Sequence, residues 1–325
     1  MTSNFQPSTL SAQGLSGHSS TDFEAQIAAL WIFPVKSCAG ISVPQAVLTP
    51  TGLAHDRAWM VVDAEGEMLT QRELPRMALI QPTLVDDAEG LGALVLHASG
   101  MAALHVSAAT EQASVRKPIK VHVWSDQVSA FDMGAEASAW LTAFLGDSFG
   151  PLRLVRFDQA HHRPSSANWT QGLPSSNQFS DGFPLLVAST ASLDELNKRL
   201  RGQGEAAVDM RRFRANVVLG HAPEQAASVL PHDEDRIGTL TIHTQDDAGG
   251  QVVHLQPVKP CPRCPIPNID PDTAQANPAV SDTLQAYRQD ARVGGALTFG
   301  MNCLPVAGMG QQLRVGQLVR AEWVF

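Results

Sequence analysis

The stretch Lys259–Thr273, KPCPRCPIPNIDPDT, holds two of the chain's four cysteines, Cys261 and Cys264, separated by two residues and set among prolines. A CxxC pair can be half of a zinc site, a dithiol redox couple, one metal-binding thiolate with a bystander, or plain packing. Structural zinc takes four ligands. The sequence contains no second CxxC and no HxxxH, so even with His254 a fourth partner must come from afar. A thioredoxin-type pair lowers its thiol pKa at a helix N-terminus, and Pro260, Pro262, Pro265 and Pro267 speak against a helix following here. Zinc and redox exchange are therefore the weaker readings. A third is a proline-stiffened open loop that presents one thiolate beside the Arg263 guanidinium, a soft ligand suited to a soft or high-valent metal centre.

Two further groups carry polar chemistry. Val35-Lys36-Ser37 follows an apolar run, and His55-Asp56-Arg57 opens another. A lysine, a hydroxyl and an arginine converging at strand ends would make an anion pocket suited to phosphate, although on composition alone ordinary solvated strand ends are the commoner case. Arg212-Phe213-Arg214-Ala215-Asn216 leads into the apolar VVLG. It can frame a polar ligand, or be a surface strand with alternating arginines.

The elements that must position these residues read as mostly strands. IAALWIF, VPQAVL, DRAWMVV, EMLTQR, ALVLHASGMAALHVS and IKVHVW alternate with turn signals, as in a β-meander or barrel. A second block follows with RRFRANVVL, GTLTIHT, QVVHLQPV and LRVGQLVRAEWVF, and DDAGG before Gln251 reads as a hairpin turn. Between the blocks lie helical segments. Ser192-x-x-Glu195 reads as a capping box ahead of an apolar face of Leu193, Leu196 and Leu200. Gly134–Leu145 reads as a second helix, with Trp140, Leu141 and Phe144 inward and a domain boundary nearby. The expected class is mainly β with some helices (α+β), in two domains.

Composition narrows the partners. The 325 residues carry a net charge of −9 with no dense basic tract, which argues against nucleic acid and anionic membranes. Residues 1–24 read as a disordered tail without a signal-peptide core, and no apolar run reaches the length of about 18 residues that suggests a membrane span. Four cysteines are too sparse for a disulfide framework and fit a reducing cytoplasm.

In this order, WIFPVKSCAGI, GLAHDRAWMVVD, LTQRELPRMALI, FPLLVASTASLDELN, RFRANVV, CPRCPIPNIDPDT, FGMN and LRVGQLV resemble one family. Residues 25–150 resemble the β-barrel domain that precedes a MOSC domain, and residues 151–325 resemble the MOSC domain, itself a β-barrel. The layout is similar to that of the mitochondrial amidoxime-reducing component and its bacterial relatives. The resemblance implies a molybdenum pyranopterin cofactor (molybdopterin) and reduction of small N-hydroxylated substrates. It implies Cys264 as the metal ligand and catalytic residue, with Cys261 a neighbour. It implies phosphate contacts from Lys36, Ser37 and Arg57, and pterin contacts from Arg214 and Asn216, with Ser189, Thr190 and Ser192 along its lining and Arg263 beside the thiols. Asp270, Asp181 and a metal-bound water are candidates for the proton that departure of oxygen from nitrogen needs, and the sequence singles out none of them. No plant-type ferredoxin cysteine spacing occurs, so electrons are expected from a separate ferredoxin, flavoprotein or cytochrome. The alternative is a carrier of the cofactor, or of sulfur on Cys264; a pyridoxal-phosphate sulfurase domain is not expected. Three departures from the family pattern stand out: Ala274 where Asp-Pro-x-Thr-Gly is common, the extra stiffness from Pro265 and Pro267, and the absence of a tryptophan in AASVLPHDEDRIG.

Overall fold

Along Phe23–Ile32 the residues Phe23, Ala25, Ile27, Leu30 and Ile32 are buried, the near-alternation of a strand with one face on a core. That core belongs to a barrel built largely from the far end of the chain. In the computed structural model, which describes residues 23–87, 90–108, 117–222, 229–244 and 251–324, seven strands close on themselves. They are β1 (Phe23–Ile32), β2 (Leu185–Ser189), β3 (Val217–Gly220), β4 (Leu240–His243), β5 (Val252–Pro262), β6 (Ala296–Ala307) and β7 (Leu318–Ala321). Around the barrel they run β2-β3-β1-β7-β4-β5-β6 and back to β2. The β2–β3 pair is parallel and the other six are antiparallel. Phe23 and Glu24, counted with the tail on composition, open β1; residues 1–22 and the DDAGG turn lie outside the described residues.

The first domain is β as well. A four-stranded sheet orders Trp59–Val62, Arg153–Phe157, Asp126–Asp132 and Ile119–Val123, and a three-stranded sheet orders Gln81–Asp87, Gly90–His97 and Leu104–Ser107. The helix Ala135–Leu145 packs Trp140, Leu141 and Phe144 into the core of this domain. The chain thus crosses twice: β1 completes the C-terminal barrel, and Arg153–Phe157 pairs with Trp59–Val62 in the first domain. No helix among the described residues is long and apolar enough to cross a membrane.

Three local expectations change. The helix after β2 spans Thr190–Gly202, and its N-cap is Ser189, whose hydroxyl accepts the Ser192 N–H at 3.1 Å. Glu195 pairs with Arg199 one turn on and does not close a capping box. Leu196 and Leu200 are fully buried, each worth about 1.5–3 kcal/mol of apolar burial. RRFRANVVL is a strand only from Val217: Asp209 caps a 3-10 turn over Met210–Phe213, and Arg214 sits at φ +58°. Finally, β5 runs through Cys261 to Pro262, so Cys261 is a strand residue and only Cys264 lies in a loop, followed by a single 3-10 turn at Ile266–Asn268.

Candidate functional site

A cleft of about 250 Å³ opens where the barrel rim meets the first domain. Lys36, Ser37, Arg57 and Arg72 come to it from the first domain, Asp181 and Phe183 from the segment before β2, and Arg214, Asn216, Lys259, Cys261, Arg263 and Cys264 from the barrel. Eight described non-glycine residues adopt positive φ, and three of them, Ser37, Arg57 and Arg214, line this cleft. Left-handed backbone costs an L-residue about 1–2 kcal/mol, so its concentration here marks a wall shaped against local preference.

Each cation has its own anchor. Lys36 is buried, donates to the Phe179 carbonyl at 2.9 Å and pairs with Asp181 at 2.6 Å. Burial lowers the Lys36 pKa, against the pull of Asp181. Desolvation at the cleft wall would raise the carboxyl of Asp181, but its side chain is 71% exposed, and the Lys36 ammonium with the hydrogen bonds from Lys36 and Trp124 holds it well below the usual range. Arg57 donates to Asp56, to Asn216 Oδ1 at 3.0 Å and to the Arg214 carbonyl at 3.0 Å. Arg214 donates to the Cys38 carbonyl at 2.6 Å, and its Nη2 is buried without a partner. Burial and then the Arg57 charge lower the Arg214 pKa, although a guanidinium stays protonated at neutral pH. Arg263 donates Nη1 to Cys261 Sγ at 3.0 Å and Nη2 to the Phe213 carbonyl at 2.9 Å, while its Nε is buried and unpartnered. The guanidinium therefore contacts Cys261, and Cys264 presents a half-buried free thiol to the cleft.

Six cationic side chains and one carboxylate line this space, on a chain whose net charge is −9. Such a wall selects an anion. Two unpartnered guanidinium donors and an unoxidised thiol at the other end fit a phosphate-bearing group with a soft metal. The zinc reading finds no ligand set: among the described residues no group of three or more His, Cys, Asp or Glu could hold a metal, and His254 lines a different groove.

The structure brings Lys36, Ser37, Arg57, Arg214, Asn216, Arg263 and Cys264 to one cleft. Asn216 is a framework residue there. Its Oδ1 accepts from Leu186 N and Arg57, and its Nδ2 donates to the Trp31 carbonyl, which leaves little for a ligand. Ser189, Thr190 and Ser192 do not join them. The cleft takes Leu185 and Leu186 at the start of β2, and Ser189 lies three residues past Leu186, roughly 10 Å further along the strand at about 3.3 Å per residue. Thr190 is exposed, and the hydroxyls of Ser189 and Ser192 are buried and donate to Glu234 at 2.9 and 2.6 Å. Asp270 is also elsewhere: it pairs with Arg212 and caps the Asp272 and Thr273 N–H groups, and those bonds, set against burial, lower its pKa. Arg163 escapes any sequence pattern. It is buried, pairs with Asp126 at 2.8 Å and donates to the carbonyls of Gln178, Ser180 and Asp181, fixing the segment that carries Asp181 and Phe183 into the cleft.

Comparison with known proteins agrees with this layout. The MOSC N-terminal beta barrel domain matches residues 24–148, and the MOSC domain matches residues 174–320. The mitochondrial amidoxime-reducing component 1 of Homo sapiens is 34% identical over 271 residues, spanning 81% of this chain and 72% of its own length. The chain belongs to the MOSC-domain family. The mitochondrial amidoxime-reducing component 1 of Mus musculus is 33% identical over 274 residues, spanning 81% of this chain and 71% of that protein. Molybdenum cofactor sulfurase of Homo sapiens is 29% identical over 273 residues, but that match spans 28% of the sulfurase. The cationic cleft and Cys264 therefore lie at the junction of the two matched MOSC regions.

Proposed function

We propose that this MOSC protein is a molybdenum-cofactor enzyme that removes oxygen from N-hydroxylated compounds with electrons from a separate donor protein. The observation that carries the reading is the convergence of six cations on one cleft whose barrel end presents the Cys264 thiol. Lys36, Ser37 and Arg57 would hold the cofactor phosphate, Arg214 and Arg263 would direct their unpartnered N–H groups at it, and the Cys264 thiolate would take one metal position. When bound, the molybdenum centre supplies two-electron chemistry at the substrate oxygen. The overall reaction breaks one N–O bond, consumes two electrons and two protons, forms an N–H bond and releases water.

The chain's own contribution is binding, orientation and electrostatics. Asp181 is held ionised by Lys36, so at neutral pH it is no proton donor, and Asp270 stands outside the cleft. The protons then enter with solvent through the open cleft. All four cysteines are free, which supports a reducing compartment such as the cytoplasm.

The test is molybdenum by elemental analysis on protein made in a host that synthesises the cofactor, followed by turnover of an amidoxime with a chemical electron source. Near-stoichiometric metal in the wild type, reduced in Lys36→Met and altered in its spectrum by Cys264→Ser, supports the reading. Wild-type protein without molybdenum refutes it. Metal that exchanges readily with no turnover would make the protein a carrier.

A further inference from the structure

Among the described residues, two of the six cations in the cleft have no polar partner. Lys36, Arg57, Arg214 and Arg263 are tied to carboxylates, carbonyls or sulfur, as described above. Among the described residues, the heads of Arg72 and Lys259 make neither an ion pair nor a hydrogen bond. Each is instead held on aromatic rings. The Arg72 guanidinium lies 4.3 Å from the Trp124 ring centroid, and Lys259 Nζ lies 5.2 Å from that of Trp169 and 5.8 Å from that of Phe183. A ring face orders a cationic head while leaving its N–H donors free. Both heads are thus preorganised to receive an anion.

The cofactor does not account for them. A phosphate monoester carries about two negative charges near pH 7, and Lys36 and Arg57 of the first domain with Arg214 of the barrel are the cations proposed above to hold it. Lys259 stands on β5 two residues ahead of Cys261, so its charge lies beside the thiol end, and Phe183 adds an apolar face to the same wall. A cation beside the reacting end, backed by aromatic surface, matches a planar molecule that carries its own negative group.

We infer that the two open cations, Lys259 beside the thiol end first of all, receive a carboxylate on the substrate, so that this protein prefers anionic N-hydroxylated aromatic compounds to neutral ones. The inference rests on the reductase reading above. A charge-assisted hydrogen bond of about 1.5–3 kcal/mol corresponds to roughly 10- to 150-fold in kcat/KM between a carboxylate and its neutral isostere.

The experiment measures kcat/KM of the molybdenum-loaded protein, reduced chemically, for an aryl amidoxime bearing a ring carboxylate and for the matching carboxamide. The ratio is taken in wild type, Lys259→Met and Arg72→Leu, so that any general loss of activity cancels. A wild-type ratio of about tenfold or more, falling toward unity in Lys259→Met, is the expected result. A wild-type ratio near unity, or one that neither variant changes, overturns the subsite. Equilibrium binding separates this from failure of the reductase reading. If no amidoxime is turned over, saturable quenching of tryptophan fluorescence by the carboxylate-bearing amidine, weakened tenfold in Lys259→Met and absent with the carboxamide, still supports the subsite. Equal binding of the two amidines overturns it.

Discussion

Glu234 gives the sharpest physical test of where the helix-capping serines belong. Its carboxyl is about 1% exposed and accepts hydrogen bonds from Ser189 and Ser192, yet burial, opposed by those bonds, pushes its pKa up from 4.5 to about 7. A rise of that size corresponds to about 3 kcal/mol at about 1.4 kcal/mol per pH unit. The sign follows from proton counting. Between about pH 4.5 and 7 the native state retains a proton that the unfolded chain has released, so stability declines as pH rises through that window and levels off above it. Glu234→Gln keeps the shape and the neutral form. Urea unfolding of wild type and variant at pH 4.5, 6, 7 and 8 should give nearly equal stabilities at the acid end. The variant should be more stable by about 3 kcal/mol at pH 8. Parallel pH profiles would refute the argument. The variant should also keep its molybdenum; a stable Glu234→Gln protein that lost the metal would return Ser189 and Ser192 to the cofactor site.

Two further substitutions test the walls of the cleft and the loop beside it. Arg163→Ala leaves the carbonyls of Gln178, Ser180 and Asp181 without their donor, at about 1 kcal/mol each. A loss near 3 kcal/mol in urea unfolding is expected, against less than about 1 for Asp126→Asn, whose carboxylate is 49% exposed; an Arg163→Ala protein within 0.5 of wild type would contradict this. Ala274 occupies φ +59° in the turn closed by its N–H to the Asp270 carbonyl. Ala274→Gly should relieve about 1–2 kcal/mol of left-handed strain and return about 0.4–1 through the looser unfolded chain, for a net gain of about 0.5–1 in the urea midpoint analysis; destabilisation would show that the alanine methyl is needed.

The parts of the site legible in the sequence are those whose signal is local. Lys36 and Ser37 adjoin each other, Arg57 shares its motif with Asp56, and Cys261, Arg263 and Cys264 lie within four positions. Partners far apart in sequence leave no such trace: Arg163 meets Asp126 and Asp181, and Glu234 meets Ser189 across 45 positions. For the same reason β1 reads as part of the first domain, because nothing local announces that it pairs with β3 and β7 nearly 200 or more residues on. The prolines mislead for a different reason. They suggest a loop over Lys259–Thr273, yet β5 accommodates Pro257, Pro260 and Pro262 because its register against β6 shifts between Pro257 and Lys259 and again between Pro260 and Pro262. A bulge leaves a backbone nitrogen without a ladder partner, where a missing N–H costs nothing.

The bonds that join the two domains also set the chemistry of the cleft. Arg57 of the first domain reaches Asn216 and the Arg214 carbonyl in the barrel, and Arg214 reaches back to the Cys38 carbonyl. Their guanidiniums both lie over the Phe33 ring, at 4.6 and 4.2 Å from its centroid. Two like charges on one ring repel each other, and the buried Asp56, paired with Arg57, answers only one of them. The excess is left on Arg214, whose Nη2 has no partner. Arg214 lines the cleft, so an anion bound there would offset that excess charge and favour docking of the first domain against the barrel. The left-handed backbone at Ser37, Arg57 and Arg214 is consistent with that coupling, since strain of this kind persists only where the surrounding structure enforces it, and here the two domains enforce it on one another.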